Sequence, residues 1–335
     1  MEHYKEIVDT VLDNPSGFRR LKGHNNRNYI YYSNNHGYIV RMSDSSTEKV
    51  DVGMLPESTV LQFLSEHAFP APRLIYRDFE RNVLLLTYQK GKTLCEKFGT
   101  QEAIPDDIVT GIANRMKDLH RIGYPQVPFY KMFAASPDTR AFYQNYLFAT
   151  KKIYANLYRK YSYLFKAFAF PNDPFEPLRD DVSSLLPRNF TLCHCDMHRH
   201  NVIITPDDSL YFIDWELAMI GDPLYDIAVH LQKTRYTAEQ ETIFFQCYAD
   251  EKDIELFKEQ VQIYRRLEIV KYAITDGVRI LECIRDGVSN SELTDMIMRY
   301  RRKLELAYEI WDSHLIPVTR DLSDAFYYCY SKTLI

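Results

Sequence analysis

Hydrophobic and polar positions change rhythm along the 335 residues. Between residues 17 and 42, Tyr29-Ile30-Tyr31-Tyr32 and Tyr38-Ile39-Val40-Arg41-Met42 flank the polar run Ser33-Asn34-Asn35-His36-Gly37, which predicts strands around a turn. From Pro56 the period lengthens. Val60, Leu61 and Leu64 fall at helical spacing behind a first-turn proline, and Pro70 and Pro72 close the helix. Leu74-Ile75-Tyr76 and Val83-Leu84-Leu85-Leu86-Thr87-Tyr88 then read as two further strands. The first ninety residues therefore predict an antiparallel sheet interrupted by one helix, an α+β order rather than alternating βαβ units. After Gly91 the pattern turns helical, with Ile108, Ile112, Met116 and Leu119 on one face. Aromatic pairs four apart (Phe142 and Tyr146, Tyr154 and Tyr158) in residues 140–170 read as a packed helix face. The expected division is a small lobe, residues 1–90, and a mainly helical lobe, residues 91–335.

Composition narrows the function classes. With 46% hydrophobic and 26% charged residues the chain is an ordinary globular protein. A net charge of −5 argues against a nucleic-acid partner, which needs a basic surplus, and is compatible with a cationic small molecule. Six scattered cysteines suggest reduced thiols and a cytoplasmic setting. The apolar runs are too short to span a bilayer, so no membrane partner is expected.

Candidate chemistry concentrates in residues 192–226. His194-Cys195-Asp196-Met197-His198-Arg199-His200-Asn201 leads into Val202-Ile203-Ile204, a polar turn, and Leu210-Tyr211-Phe212-Ile213-Asp214. The pattern is a short β-hairpin with acids at its open end. Asp196 and Asn201 share one loop, and Asp214 can return beside them; two carboxylates and an amide oxygen suit Mg²⁺ completed by substrate phosphates. A zinc reading of Cys193, His194, Cys195, His198 and His200 is disfavoured, because Cys193 and Cys195 are separated by one residue only. Glu268, Asp276, Glu282 and Asp286 fit a solvated helix face better than a cation pocket.

The run His-x-Asp-x-x-x-x-Asn, a hairpin, Ile-Asp, then Gly221-Asp222 and Asp226-Ile227-Ala228 resembles the aminoglycoside phosphotransferase and choline kinase superfamily. Gly23-His24-Asn25-Asn26-Arg27-Asn28-Tyr29 is similar to that family's loop between its first two strands, and Ile39-Val40-Arg41 to its phosphate-binding strand. The resemblance covers about residues 17 to 230 in order and implies a protein-kinase-like two-lobe fold that uses ATP or GTP with Mg²⁺. It makes Asp196 the catalytic base and Asn201 and Asp214 the metal ligands. It places Arg41, held by Glu57, and Asn26 at the phosphates, Thr87, Tyr88 and Gln89 at the purine, and His198 at phosphate or substrate. His194 and Asp226 are expected to brace the loop.

The match is uneven. The first loop has one glycine, Gly23; Arg41 stands where many kinases have lysine; residues 140–170 have no counterpart. A protein kinase is disfavoured, since no Ala-Pro-Glu segment and no long loop separate Asp214 from Gly221. The expected acceptor is an aminoglycoside-like or other antibiotic, with a choline-like amino alcohol second. A catalytically silent nucleotide- or partner-binding module is the alternative from another class.

Overall fold

The computed structural model describes residues 3–21, 26–43, 56–100, 102–122, 154–249, 254–311 and 322–333. Helix α1 (His3–Val11) is followed by strands β1 (Ser16–Leu21), β2 (Asn26–Ser33) and β3 (His36–Ser43), then α2 (Glu57–Glu66), β4 (Leu74–Asp78) and β5 (Val83–Thr87). These strands form one antiparallel sheet in the order β1-β2-β3-β5-β4. The β2–β3 turn is two residues long, and Asn34 and Asn35 both take positive φ (48° and 63°). A tight hairpin turn with the twist of its strands requires that conformation, and asparagine adopts it at low cost.

Alternation along the strands divides the sheet's two faces. Tyr29, Tyr31, Val40, Val83 and Leu85 bury against Ile7, Val8 and Leu12 at the α1 end, and Tyr38 and Met42 pack on the same cluster. Arg41, one residue from Val40, therefore points to the opposite face. Helix α2 starts directly after Pro56 and buries Val60, Leu61, Phe63 and Leu64. Its first residue, Glu57, comes to the Arg41 side of the sheet.

A two-residue strand, β6 (Lys92–Thr93), runs into α3 (Leu94–Phe98), which Thr93 and Glu96 close with a reciprocal capping box. Gly91 before it is spatially required. A Cβ there would stand 2.4 Å from the Ile204 carbonyl oxygen and 2.5 Å from Ile203 Cγ2. Helix α4 (Asp106–His120) buries Val109, Ile112, Ala113, Met116 and Leu119.

Residues 154–188 include α5 (Ser162–Ala167) and α6 (Arg179–Ser183). The hairpin read from the sequence follows as β8 (Val202–Ile204) against β9 (Leu210–Phe212), after β7 (Thr191–Cys193). Strand β6 extends it to three strands, and β7 pairs separately with β10 (Met219–Gly221). Helix α7 (Pro223–Thr234) has Pro223 at its first position and Asp222 as cap, whose Oδ1 accepts the Leu224 N–H at 2.9 Å. Then come α8 (Ala238–Tyr248), α9 (Ile254–Arg285), α10 (Asn290–Ile310) and α11 (Leu322–Thr333). Among the described residues, no helix is long and apolar enough to cross a membrane.

The chain divides into two compact units. One takes residues 1–135 and 189–254, the other 136–188 and 255–335. The boundary suggested near Gly91 lies inside the first unit. In the second, Phe168, Tyr300 and Phe326 form a ring cluster with centroids 4.9–5.9 Å apart, and the Tyr300 hydroxyl donates to the Ala273 carbonyl at 2.8 Å. Of the aromatic stripe, Tyr154 is buried and packs against the Phe175 ring, whereas Tyr158 is exposed; Phe142 and Tyr146 lie outside the described residues. Glu268 departs from the solvated-face reading. It is buried and paired with Lys271 at 3.1 Å, while Glu282 accepts from the Tyr161 hydroxyl at 2.7 Å.

Candidate active site

All described candidate residues lie in the first unit, and the loop of residues 194–201 is held there by backbone anchors. The Asp226 carboxylate accepts the His194 N–H at 2.8 Å and the Cys195 N–H at 2.7 Å. Cys195 has φ 62°, a left-handed conformation that costs a non-glycine residue energy, so these bonds hold the chain in a turn it would otherwise leave. His194 accepts the Asp196 N–H at Nδ1 (3.2 Å), and its Nε2 therefore donates to the Ile213 carbonyl (3.0 Å). The Asn201 carbonyl accepts the Ile213 N–H at 2.9 Å, which sets Asp214 directly beside the loop. His194 acts as the brace between loop and hairpin.

Helix α7 supplies further anchors at the spacing i, i+4, i+7. Asp226 takes the two N–H groups, His230 Nδ1 meets the Met197 carbonyl at 3.0 Å, and Lys233 Nζ is ion-paired with Asp196 Oδ1. Seven residues are nearly two full turns, so all three point from one face of the helix. Burial holds the His230 imidazole down to about 4, hence neutral. Asp226 also bonds His120 Nε2 at 3.0 Å, and His120 Nδ1 lies 2.6 Å from the Tyr248 hydroxyl. Burial alone would discharge His120, but Tyr248 and the Asp226 hydrogen bond outweigh it and hold this imidazole well above its usual range. The contribution of a raised histidine to stability is fully present below about pH 6.5 and is lost as pH rises through its folded value. His120→Asn should therefore flatten the alkaline fall of the melting temperature, as checked by thermal melts from about pH 6 to 9.

Asp196 has both oxygens engaged. Oδ1 takes Lys233, and Oδ2 accepts Asn201 Nδ2 at 3.2 Å, with His198 Nε2 3.6 Å away. His198, expected at phosphate or substrate, thus stands beside the carboxylate. Burial pushes its imidazole down to about 4, against the pull of Asp196.

The second cluster centres on Arg41. Its Nη1 donates to Glu57 Oε1 at 2.9 Å; its Nη2 donates to Asp214 Oδ1 at 2.6 Å and to Glu216 Oε2 at 2.8 Å. Glu57 also accepts the Trp215 N–H at 3.2 Å, so α2 is tied to the segment leaving Asp214. Arg41 stays charged, because the three carboxylates outweigh its burial. Burial pushes the Glu57 carboxyl up to about 7 despite Arg41, with Asp214 and Glu216 adding to the rise. One guanidinium facing three carboxylates leaves surplus negative charge. With the oxygen donors of Asn201 and Asp214 beside it, that surplus fits a hard divalent cation such as Mg²⁺.

In the strand-to-helix segment, the Thr87 N–H bonds the Arg73 carbonyl at 3.0 Å and the Tyr88 N–H bonds the Gly37 carbonyl at 2.9 Å. Gln89 Nε2 reaches the Lys90 carbonyl at 3.2 Å. Asn26 opens β2 opposite Ser43. Gly23, His24 and Asn25 lie outside the described residues. The structure thus brings Asp196, Asn201, Asp214, Arg41, Glu57 and His198 together. It adds two residues the sequence reading missed, Glu216 and Lys233. Lys233 had a usable signal, since Asp226, His230 and Lys233 repeat at helical spacing within a largely apolar helix. Glu216 had none beyond its place two residues after Asp214.

Comparison with known proteins follows the same outline. Over 81 residues the chain is 32% identical to Protein LicA of Haemophilus influenzae, a stretch covering 24% of this chain and 30% of that protein. The chain thus matches under a third of the curated relative's length. Among solved structures, choline kinase LicA from Streptococcus pneumoniae superposes with a TM-score of 0.61 at 19% identity, covering 92% of this chain and 98% of that one. The gentamicin–APH(2")-IIa complex superposes with a TM-score of 0.62 at 17% identity, covering 90% and 95%. At such identities the likeness shows the fold, that of small-molecule kinases: an antiparallel sheet with one helix, then a helical region carrying the loop and hairpin. The model of the phosphotransferase enzyme family matches residues 18–256, which takes in the sheet, the loop, the hairpin and α7, and the chain belongs to that family.

Proposed function

We propose that this protein transfers the γ-phosphoryl group of ATP or GTP, with Mg²⁺, to a hydroxyl of a small molecule. One observation carries the reading. A buried arginine clamped by a helix glutamate meets an aspartate that adjoins the Asp196–Asn201 loop, so groups for nucleotide, metal and acceptor stand side by side. Phosphoryl transfer has a loose transition state, and the protein's part is to position groups and neutralise charge. Asn201 and Asp214 would hold Mg²⁺, which when bound offsets charge on the phosphate oxygens. Asp196 would accept the acceptor's proton late in the reaction and orient its hydroxyl. Arg41 would hold phosphate oxygens, exchanging a carboxylate partner for them while Glu57 keeps its stem in place. Because the Thr87 and Tyr88 N–H groups are spent on backbone, the donor to a purine ring nitrogen would come from Gln89.

The test is thermal melting with and without ATP and Mg²⁺, followed by ADP formation across a panel of alcohols. Metal-dependent stabilisation with turnover supports the kinase. Stabilisation with no turnover on any alcohol would leave a silent nucleotide-binding module. Arg41→Met should weaken ATP affinity by about ten- to a hundredfold, the worth of a charged hydrogen bond, read by calorimetric titration. Unchanged affinity would remove Arg41 from the phosphates. Both acceptor classes expected from the sequence, amino-sugar antibiotics and choline-like amino alcohols, are cations, and the surroundings of Asp196 bear on both.

A further inference from the structure

The charge at the acceptor end of the site is set by a residue outside the loop and the hairpin. Lys233 projects from the last turn of α7 and pairs with Asp196 Oδ1. The lysine side chain is 25% exposed and the aspartate 14%, so water screens the pair only in part. A buried arginine anchors that end of the helix. Arg199 is buried, and its Nε donates to the carbonyl of Thr234, the residue after Lys233, at 2.8 Å. Without Lys233, Asp196 would present a net negative charge to whatever alcohol it holds. With it, that end of the site is neutral.

We propose that Lys233 is a specificity-determining residue that discriminates against acceptors carrying an ammonium within two carbons of the reacting hydroxyl, and that the natural acceptor is an alcohol with a neutral or anionic group there. The inference rests on the role given to Asp196 above. A hydroxyl poised for proton transfer stands within about 3.2 Å of the carboxylate. An ammonium two carbons further along then falls within a Debye length, about 8–10 Å, of the lysine. It meets repulsion from Lys233 and gains no surplus attraction from an aspartate already paired. At the effective dielectric of a partly buried site, a unit charge at that range changes affinity by tenfold or more. The same side chain also fixes the carboxylate: with Lys233 on Oδ1 and Asn201 on Oδ2, Asp196 is held at both oxygens.

The experiment uses the full chain with Mg²⁺ and a non-hydrolysable ATP analogue, and radiolabelled choline and ethanolamine as probes in equilibrium dialysis. Wild type, Lys233→Arg, Lys233→Gln and Lys233→Glu are compared. Wild type and Lys233→Arg should bind both probes weakly, Lys233→Gln about tenfold tighter, and Lys233→Glu tighter again. A role confined to folding would lower the melting temperature without that graded gain, and rescue by arginine would not track charge. If wild type binds choline as tightly as Lys233→Gln, or if no variant gains affinity, the assignment of Lys233 is overturned. Should Lys233→Glu fail to fold, the glutamine variant decides. Failure of the underlying reading has a different signature: wild type would then show no metal-dependent stabilisation by the nucleotide analogue.

Discussion

Asp196→Asn should lower phosphoryl transfer by about 10²–10⁴-fold, the usual worth of a positioned general base, while the rise in melting temperature caused by ATP with Mg²⁺ persists. Asparagine keeps the size of the side chain and one acceptor oxygen, enough for Lys233 or for Asn201 Nδ2 but not for both, while the Asp226 carboxylate still anchors the loop through the His194 and Cys195 N–H groups. What it loses is the ability to take a proton. ADP formation in the presence of an accepted alcohol, measured beside calorimetric nucleotide affinity, separates the two effects. Full turnover in the asparagine variant would be incompatible with Asp196 as the base. Loss of nucleotide binding would instead place this carboxylate at the phosphates.

A larger effect on the protein as a whole is expected from Asp226→Ala. Its carboxylate meets three donors at once: two backbone N–H groups and the His120 imidazole. Burial would raise its pKa, but His120 and the His194 N–H hold it below the usual carboxylate range. Removing it strands a buried imidazolium and two backbone donors, and one of those donors belongs to Cys195 in its left-handed conformation. Breaking a buried pair in this way costs about 3–5 kcal/mol. Urea unfolding should show that loss as a lower midpoint, with transfer activity falling well below the fraction folded because Asp196 is the next residue in the chain. A midpoint within about 1 kcal/mol of wild type would mean that the loop is held by other contacts.

The sheet was legible because two physical signals agreed. Runs of aromatic, β-branched and aliphatic residues marked the strands, and turn chemistry at Asn34-Asn35 marked the tightest join. The loop and hairpin were legible for a different reason: polar residues at fixed offsets, Asp196, Asn201 and Asp214, interrupt short β-rich runs. Neither signal reaches contacts made between distant segments. Glu216 joins the Arg41 cluster from 175 residues away, and His120 meets Asp226 across 106 residues. Such pairings depend on tertiary placement, and local spacing carries no trace of them. Burial misled in the same way at Glu268, where an acid in a charged-looking helix turns inward because Lys271, three residues on, accompanies it. In the second unit the helical period identified the elements, but the partners of Tyr300 and Tyr154 came only from packing.

The polar row on α7 works as a ruler. Asp226, His230 and Lys233 reach successive points on the neighbouring loop because a helix advances about 1.5 Å and rotates about 100° per residue. Inserting or deleting one residue between positions 226 and 233 would swing Lys233 about a quarter-turn away while leaving Asp226 in register. The aspartate proposed as the base and the turn that presents it would then come apart as separately adjustable parts. Substitutions along this rod can alter what the site accepts, whereas a change in its length alters whether the site is assembled at all.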